Sequence, residues 1–101
     1  MGFVQIIDYV TTRYDEVEAL SEKFRANREG SGTAGPGRVT VGKDRDRENH
    51  FLVIAEFESY EAAMANSNDP VTQEFAAAMG ELCDGPPTFY NLDLVRTDSF
   101  A

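Results

Sequence analysis

The chain has 101 residues, 42% of them hydrophobic, and 18 acidic against 9 basic side chains give a formal net charge of -9. This length and composition predict one soluble globular domain spanning residues 1–101. The negative charge repels phosphate backbones and anionic lipid surfaces, so nucleic acids and membranes are not expected partners. No apolar run approaches the ~20 residues that cross a bilayer, and the N-terminus lacks the basic start of a secretory signal, so we expect a cytoplasmic protein.

The first half of the chain predicts a strand, a helix and a hairpin of two strands. Alternating β-branched and aromatic residues indicate a strand over 3–10, and helical spacing of apolar residues indicates a helix over about 13–27. Residues 29–37 contain four glycines and a proline. Because this stretch follows a helix, whereas phosphate-binding glycine loops follow a strand, we interpret it as a solvated connection. Strand patterns resume over 38–43 and 50–57 and predict a hairpin.

The second half predicts a broken helix followed by a last strand. Ser59 is a suitable N-cap for the helix, and the sequence NSNDP then interrupts the helical pattern. Asp69 as cap and Pro70 as first helical residue start its second segment, which ends before 84–87. Residues 88–95 alternate as a fourth strand. The order βαββαβ predicts an α+β, ferredoxin-like fold, with a four-stranded antiparallel sheet and helices on one face.

The predicted strands are apolar on both sides, although the helices can cover only one face of the sheet. The chain has no further segment with which to cover the other face. The sequence therefore predicts a homodimer.

Two single residues raise the question of catalysis. Asp8 lies on an apolar strand face, where it either pairs with an arginine such as Arg13 or Arg96, lies at the rim, or acts as a general base; we favour the first two. Cys83 is the one cysteine and has no basic neighbour. We interpret it as a small buried hydrophobe rather than a catalytic thiolate.

Three segments of the chain resemble the dimeric α/β-barrel superfamily, in particular proteins like the antibiotic biosynthesis monooxygenases. They are the opening FVQIIDY, the segment FLVIAEFESYEAAMANSNDP and the ending CDGPPTFYNLDLV. Within this family the chain looks most similar to a group of small uncharacterised actinobacterial proteins. The resemblance implies a dimeric α/β barrel whose pocket lies between sheet and helices, lined by the first and third strands and the second helix.

The family commonly uses an aromatic residue, usually tryptophan, near the start of that helix and an asparagine or histidine. This chain has no tryptophan and one histidine. The candidate catalytic residues are Tyr9, His50 and Asn66. The candidate substrate-binding residues are Gln5, Ile7, Phe51, Tyr60, Met64, Phe75 and Asn91. Four of these residues also have a purely structural interpretation. Tyr9 is then a tyrosine at a strand end, His50 a surface histidine, Asn66 a cap at the helix break and Asn91 an amide that faces solvent. We predict no metal site and no cofactor.

The candidate residues and the family resemblance lead to two hypotheses about function. The first is a cofactor-independent, monooxygenase-like enzyme acting on a hydrophobic, aromatic, polyketide-like substrate, with Tyr9, His50 and Asn66 placing or deprotonating a hydroxyl. The second is a non-catalytic ligand-binding or structural homodimer whose pocket is filled by phenylalanines. An open pocket of ~300–1,000 Å³ with Tyr9 or Asn66 inside favours the enzyme, and a packed interior favours the second. Haem degradation is a third candidate, for which His50 is the available imidazole.

Overall fold

A computed structural model describes residues 2–28 and 35–100, and within them the chain follows the predicted element order. The elements are β1 (Phe3–Val10), α1 (Tyr14–Arg28), β2 (Arg38–Lys43), β3 (His50–Phe57), α2 (Tyr60–Ser67), α3 (Pro70–Leu82) and β4 (Thr88–Asp93). The ferredoxin-like fold is confirmed. Residues 29–34 of the predicted glycine-rich connection lie outside the described residues.

The four strands form one antiparallel sheet in the order β2-β3-β1-β4. Because β1 pairs on both sides, Ile7 lies opposite both Val53 and Phe89. Side chains alternate between the two faces along each strand. The face covered by the helices, here the helix face, carries Phe3, Gln5, Ile7, Tyr9, Val39, Val41, Lys43, Phe51, Val53, Ala55, Phe57, Phe89, Asn91 and Asp93. The opposite face, here the open face, carries Val4, Ile6, Asp8, Val10, Arg38, Thr40, Gly42, His50, Leu52, Ile54, Glu56, Thr88, Tyr90 and Leu92.

The helices pack on the helix face through two buried clusters, one at each end of β1. The first contains Phe3, Ala55, Phe57 and Ala63, with Met64 packed against it. The second contains Tyr9, Val17 and Phe51, with Tyr14, Val53, Met79, Leu82 and Cys83 packed against it. Consequently α2 covers the Phe3 end of the sheet, whereas α1 and α3 cover the Tyr9 end.

Both helix starts predicted in the second half are confirmed. The Ser59 hydroxyl accepts a hydrogen bond from the backbone N–H of Ala62 at 3.1 Å. The Asp69 carboxylate accepts one from Val71 at 2.8 Å, and Pro70 is the first residue of α3. Since proline has no N–H with which to continue the ladder, the break between α2 and α3 follows from the sequence.

Thr11 joins the start of α1 to the end of α3. Its hydroxyl accepts a hydrogen bond from the backbone N–H of Arg13 at 3.0 Å and donates one to the carbonyl of Leu82 at 2.6 Å. The residue is 1% exposed. A buried hydroxyl with both a donor and an acceptor partner fixes the two helices against the end of β1.

The partner predicted for Asp8 is wrong. Arg47 lies 3.8 Å from the Asp8 carboxylate and 2.7 Å from that of Asp44, while Arg13 and Arg96 make local pairs elsewhere. Antiparallel pairing of β1 with β3 places the β2–β3 turn beside the end of β1, and reading along the chain does not reveal this neighbour. Asp8 is therefore ion-paired, which is one of the two interpretations that the sequence analysis favours.

The predicted fourth strand is two residues too long. β4 ends at Asp93, which lies opposite Phe3, the first residue of β1. Beyond this point β1 offers no further strand residue, and Val95 is 89% exposed.

Candidate functional site

Next to the two buried clusters, part of the helix face is only partly covered: its residues on β1 and β3 are half-buried and those on β4 are exposed. This region, here the amide strip, consists of Gln5, Ile7, Val53, Phe89 and Asn91. The side-chain amide of Gln5 donates a hydrogen bond to the side-chain oxygen of Asn91 at 3.1 Å. Because β4 is an edge strand, Phe89 remains 52% exposed. The strip thus combines one amide pair with half-open apolar surface.

The composition of the amide strip is compatible with an aromatic ligand. Ligand sites generally combine apolar walls with a few polar groups that fix orientation. A side-chain amide has two N–H donors and a carbonyl acceptor, and within the described residues the bond between Gln5 and Asn91 is the only one found for either side chain. The remaining N–H groups can therefore hold an oxygen of a molecule that lies on Ile7 and Phe89.

Aromatic and sulfur-containing side chains border the strip at both ends. At one end, the Tyr60 ring meets the Phe3 ring edge-on with centroids 5.5 Å apart, and Met64 packs on the same cluster. At the other, Phe51 stacks on Tyr14 at 4.4 Å. Six of the seven predicted binding residues therefore lie on or against the helix face.

Phe75 is the exception. Its ring stacks on Phe24 at 4.5 Å and joins α3 to α1. Both rings line a cleft of about 250 Å³ between these helices, together with Lys23, Asn27 and Glu74 among others. A second cleft of about 440 Å³ lies beside the start of β2 and contains none of the predicted binding residues.

Tyr9 is buried and keeps its proton. It is 3% exposed, and its ring stacks on Phe51 at 5.7 Å. Burial, and then the neighbouring groups Tyr14, Cys83 and Glu18, raise the pKa of Tyr9 far above its ordinary value. At neutral pH the side chain is a neutral phenol, which can place a substrate oxygen by donating a hydrogen bond but does not take up a proton.

The other two candidate catalytic residues are not gathered around Tyr9. His50 lies on the open face, across the sheet from Tyr9, and its Nδ1 is 3.1 Å from the carbonyl oxygen of Glu48. Asn66 lies near the end of α2, which packs at the opposite end of β1, and its side-chain oxygen accepts a hydrogen bond from Thr72 at 3.5 Å. These contacts are local, and they do not bring His50 or Asn66 to Tyr9.

Cys83 is half-buried and packs against the Tyr9 cluster. Burial, and then the charge of Asp84, raise the pKa of the Cys83 thiol. A thiol in this state is a weak nucleophile. The contacts agree with the interpretation of Cys83 as a small hydrophobe.

Sequence reasoning did not include two members of the amide strip, Val53 and Phe89, among the candidate binding residues. Neither carries chemistry by itself. Both occupy the strip because they face Ile7 from the two neighbouring strands. The signal that could have found them is the antiparallel register, which depends on how three separate segments pair.

Two general features concern the described part of the chain as a whole. None of its helices is both long and apolar enough to cross a membrane. Residues 2–28 and 35–100 also contain no group of three or more His, Cys, Asp or Glu side chains placed to hold a metal ion.

Solved structures with this fold include proteins linked to antibiotic biosynthesis. A protein from Caulobacter crescentus CB15, provisionally named an antibiotic biosynthesis monooxygenase, has a TM-score of 0.74 and 18% identity over 94% of this chain and 92% of its own. SnoaB, a cofactor-independent oxygenase from Streptomyces nogalater, has a TM-score of 0.73 and 20% identity over 96% of this chain and 97% of its own.

A third similar structure is Rv0793 from Mycobacterium tuberculosis, with a TM-score of 0.76 and 15% identity over 98% of this chain and all of its own, 100%. No protein-family model matches the chain, and no curated protein sequence is significantly similar to it. At these identities the similarity establishes the fold: the chain has the α+β, ferredoxin-like fold of the antibiotic biosynthesis monooxygenase-like proteins.

Proposed function

We propose that this protein binds a neutral, hydrophobic, aromatic small molecule on the amide strip, between the sheet and its helices. The observation that carries this proposal is the single amide pair, Gln5 and Asn91, within half-open apolar surface. The net charge of -9 disfavours polyanionic ligands such as nucleotides. This region also contains or borders six of the seven side chains that the sequence predicts for binding.

We further propose that the working form is a cytoplasmic homodimer in which the open faces of two sheets meet. The centre of that face is apolar, with Val4, Ile6, Leu52 and Ile54 on the two central strands, and Tyr90 and Leu92 beside them are 48% and 46% exposed. Among the described residues, every helix packs on the other side of the sheet. A second copy would bury this surface symmetrically, as in the dimeric α/β barrels that the sequence resembles.

The chemistry that we propose for this site is oxygenation without a cofactor. An activated methylene of the substrate can reduce dioxygen directly, because its carbon supplies all four electrons. One oxygen atom becomes the oxygen of a new ketone, and the other leaves as water with the two methylene hydrogens. Amide N–H groups of Gln5 and Asn91 would stabilise the enolate oxygen that forms when the methylene loses its proton. The similarity to a cofactor-independent oxygenase supports this assignment.

A second candidate function is ligand binding without turnover. It is favoured by the positions of the candidate catalytic groups: Tyr9 stays protonated, and His50 is on the other face of the sheet. Neither is placed to remove a proton from a molecule on the amide strip. A non-catalytic dimer would use the same strip and the same class of ligand.

A thermal-shift screen with aromatic polyketides, fatty acids and nucleotides tests the binding proposal, and oxygen uptake with 1,8-dihydroxyanthrone, which has an activated methylene, then separates the two functions. Stabilisation by the aromatic compounds with oxygen uptake above the uncatalysed rate supports the oxygenase. Stabilisation without uptake supports the binding protein. Stabilisation by nucleotides alone contradicts both.

A further inference from the structure

The Tyr9 hydroxyl is a buried polar group that the fold leaves without a hydrogen bond. The residue is 3% exposed, and no partner for its hydroxyl is found within residues 2–28 and 35–100. By contrast, the buried hydroxyl of Thr11 both accepts and donates. Buried polar groups in folded proteins are nearly always bonded, so an unpaired hydroxyl requires a physical reason.

The neighbours of Tyr9 do not supply an acceptor. The Tyr14 hydroxyl donates to the Glu18 carboxylate at 3.1 Å, and that carboxylate also lies 3.9 Å from Arg25. The Cys83 thiol packs against the cluster, but sulfur is a weak acceptor. The polar groups around Tyr9 are therefore engaged elsewhere or poorly suited to it.

Tyr9 also lies next to the proposed ligand site. It is on the helix face, two residues along β1 from Ile7 and four from Gln5. Two residues of extended strand span about 7 Å. Along β1, a ring system placed on Ile7 therefore has Gln5 of the amide pair on one side and Tyr9 on the other. Tyr14 and Cys83, which pack against Tyr9 at this end, are only half-buried.

We propose that Tyr9 is the hydrogen-bond donor of the ligand site and that the ligand is an aromatic ketone whose carbonyl oxygen accepts that bond. This inference rests on the proposed binding function. A neutral carbonyl fits because the Tyr9 phenol is itself neutral, whereas a carboxylate would meet the nearby charge of Glu18. Tyr9 thereby determines specificity, because it favours ligands that have a hydrogen-bond acceptor at one end.

The first test needs no ligand. Removing an unpaired buried hydroxyl removes a destabilising group, so Tyr9→Phe should raise the Tm of the free protein by several degrees, about 4 °C or more. Tyr14→Phe is the matched control: it deletes a hydroxyl that is bonded to Glu18, so the Tm should fall or stay unchanged. A lower Tm for Tyr9→Phe would mean that the fold does satisfy this hydroxyl, and would overturn the inference.

The second test compares two probes of one shape, 9-fluorenone, which has a carbonyl, and fluorene, which lacks it. In fluorescence titrations, Tyr9→Phe should weaken fluorenone binding roughly three- to tenfold, the value of one neutral hydrogen bond, and leave fluorene binding unchanged. Tyr14→Phe should affect both probes equally.

The outcomes separate the two proposals. An equal loss for both probes in Tyr9→Phe, or no loss for fluorenone, contradicts the role of Tyr9 while leaving the binding site in place; an ordered water would then be the partner of the hydroxyl. Failure of both probes to bind the wild-type protein contradicts the proposed binding function itself, and with it the inference.

Discussion

Gln5 and Asn91 are joined between neighbouring strands by a side-chain hydrogen bond of 3.1 Å, at one end of an otherwise apolar strip. The strands β1 and β4 that carry them are separated in the chain by nearly the whole domain, and the antiparallel register alone brings the two amides together. An amide pair that stabilised only the fold could be replaced by apolar side chains at little cost. If the pair orients a ligand, the same replacement should lower the affinity for that ligand.

Gln5→Leu should therefore separate binding from stability. The bond lies in an exposed position, so we expect the free energy of unfolding to change by no more than about 0.5 kcal/mol. Affinity for an aromatic ligand that stabilises the wild-type protein should fall severalfold, because an orienting donor is lost. Gln73→Leu, the same substitution at an exposed position of α3, is the control for both measurements. Equal affinities in the two variants would count against the amide strip.

Leu92→Lys should dissociate the homodimer. Leu92 lies on the open face and is 46% exposed, whereas Val39 is 52% exposed but lies at the sheet edge on the helix face. Light scattering should give twice the chain mass of 11.2 kDa for the wild-type protein and for Val39→Lys, and a single chain for Leu92→Lys. A wild-type monomer at micromolar concentration would refute the dimer.

Asp69→Ala should destabilise the protein through the start of α3. The carboxylate accepts a hydrogen bond from the Val71 backbone, and the residue is 8% exposed, so its loss should cost about 1 kcal/mol in urea unfolding. Asp69→Asn keeps an oxygen at the cap and should recover most of this difference. If alanine and asparagine were equally well tolerated, the cap would not contribute to stability.

The buried phenol of Tyr9 should make the fold sensitive to alkali. Its pKa in the folded state lies above the unfolded value of about 10, so the free energy of unfolding does not depend on this group below that pH and decreases as the pH rises above it. The urea midpoint should therefore drop more between pH 8 and pH 11 in the wild-type protein than in Tyr9→Phe. Parallel decreases in the two proteins would show that ionisation of Tyr9 is not coupled to unfolding.

Much of the fold could be read from local patterns because its boundaries depend on local chemistry. Proline cannot continue a helix, and Ser59 and Asp69 supply caps, so the broken helix could be predicted residue by residue. Alternation along β1 likewise separates the residues of the two faces. The end of β4 was less predictable, since it depends on where the neighbouring strand begins.

The candidate site was only partly predictable, since it depends on pairing between distant segments. The polar members of the amide strip stand out because amides on apolar strands are unusual, whereas Phe89 joins the strip only through its register with Ile7. Periodicity could not place His50 relative to Tyr9, because it does not show how the two strands align. The same limitation hid the ion pair between Asp8 and Arg47.

The most direct test of ligand binding on the amide strip is a two-dimensional ¹⁵N NMR titration of the wild-type protein with 9-fluorenone, followed through side-chain amide signals. Gln5 and Asn91 report on the strip, and Asn27 reports on the separate cleft between α1 and α3. We expect saturable shifts of the Gln5 and Asn91 signals, while that of Asn27 stays in place. Shifts of Asn27 alone, or no shifts at saturating probe, would contradict the account.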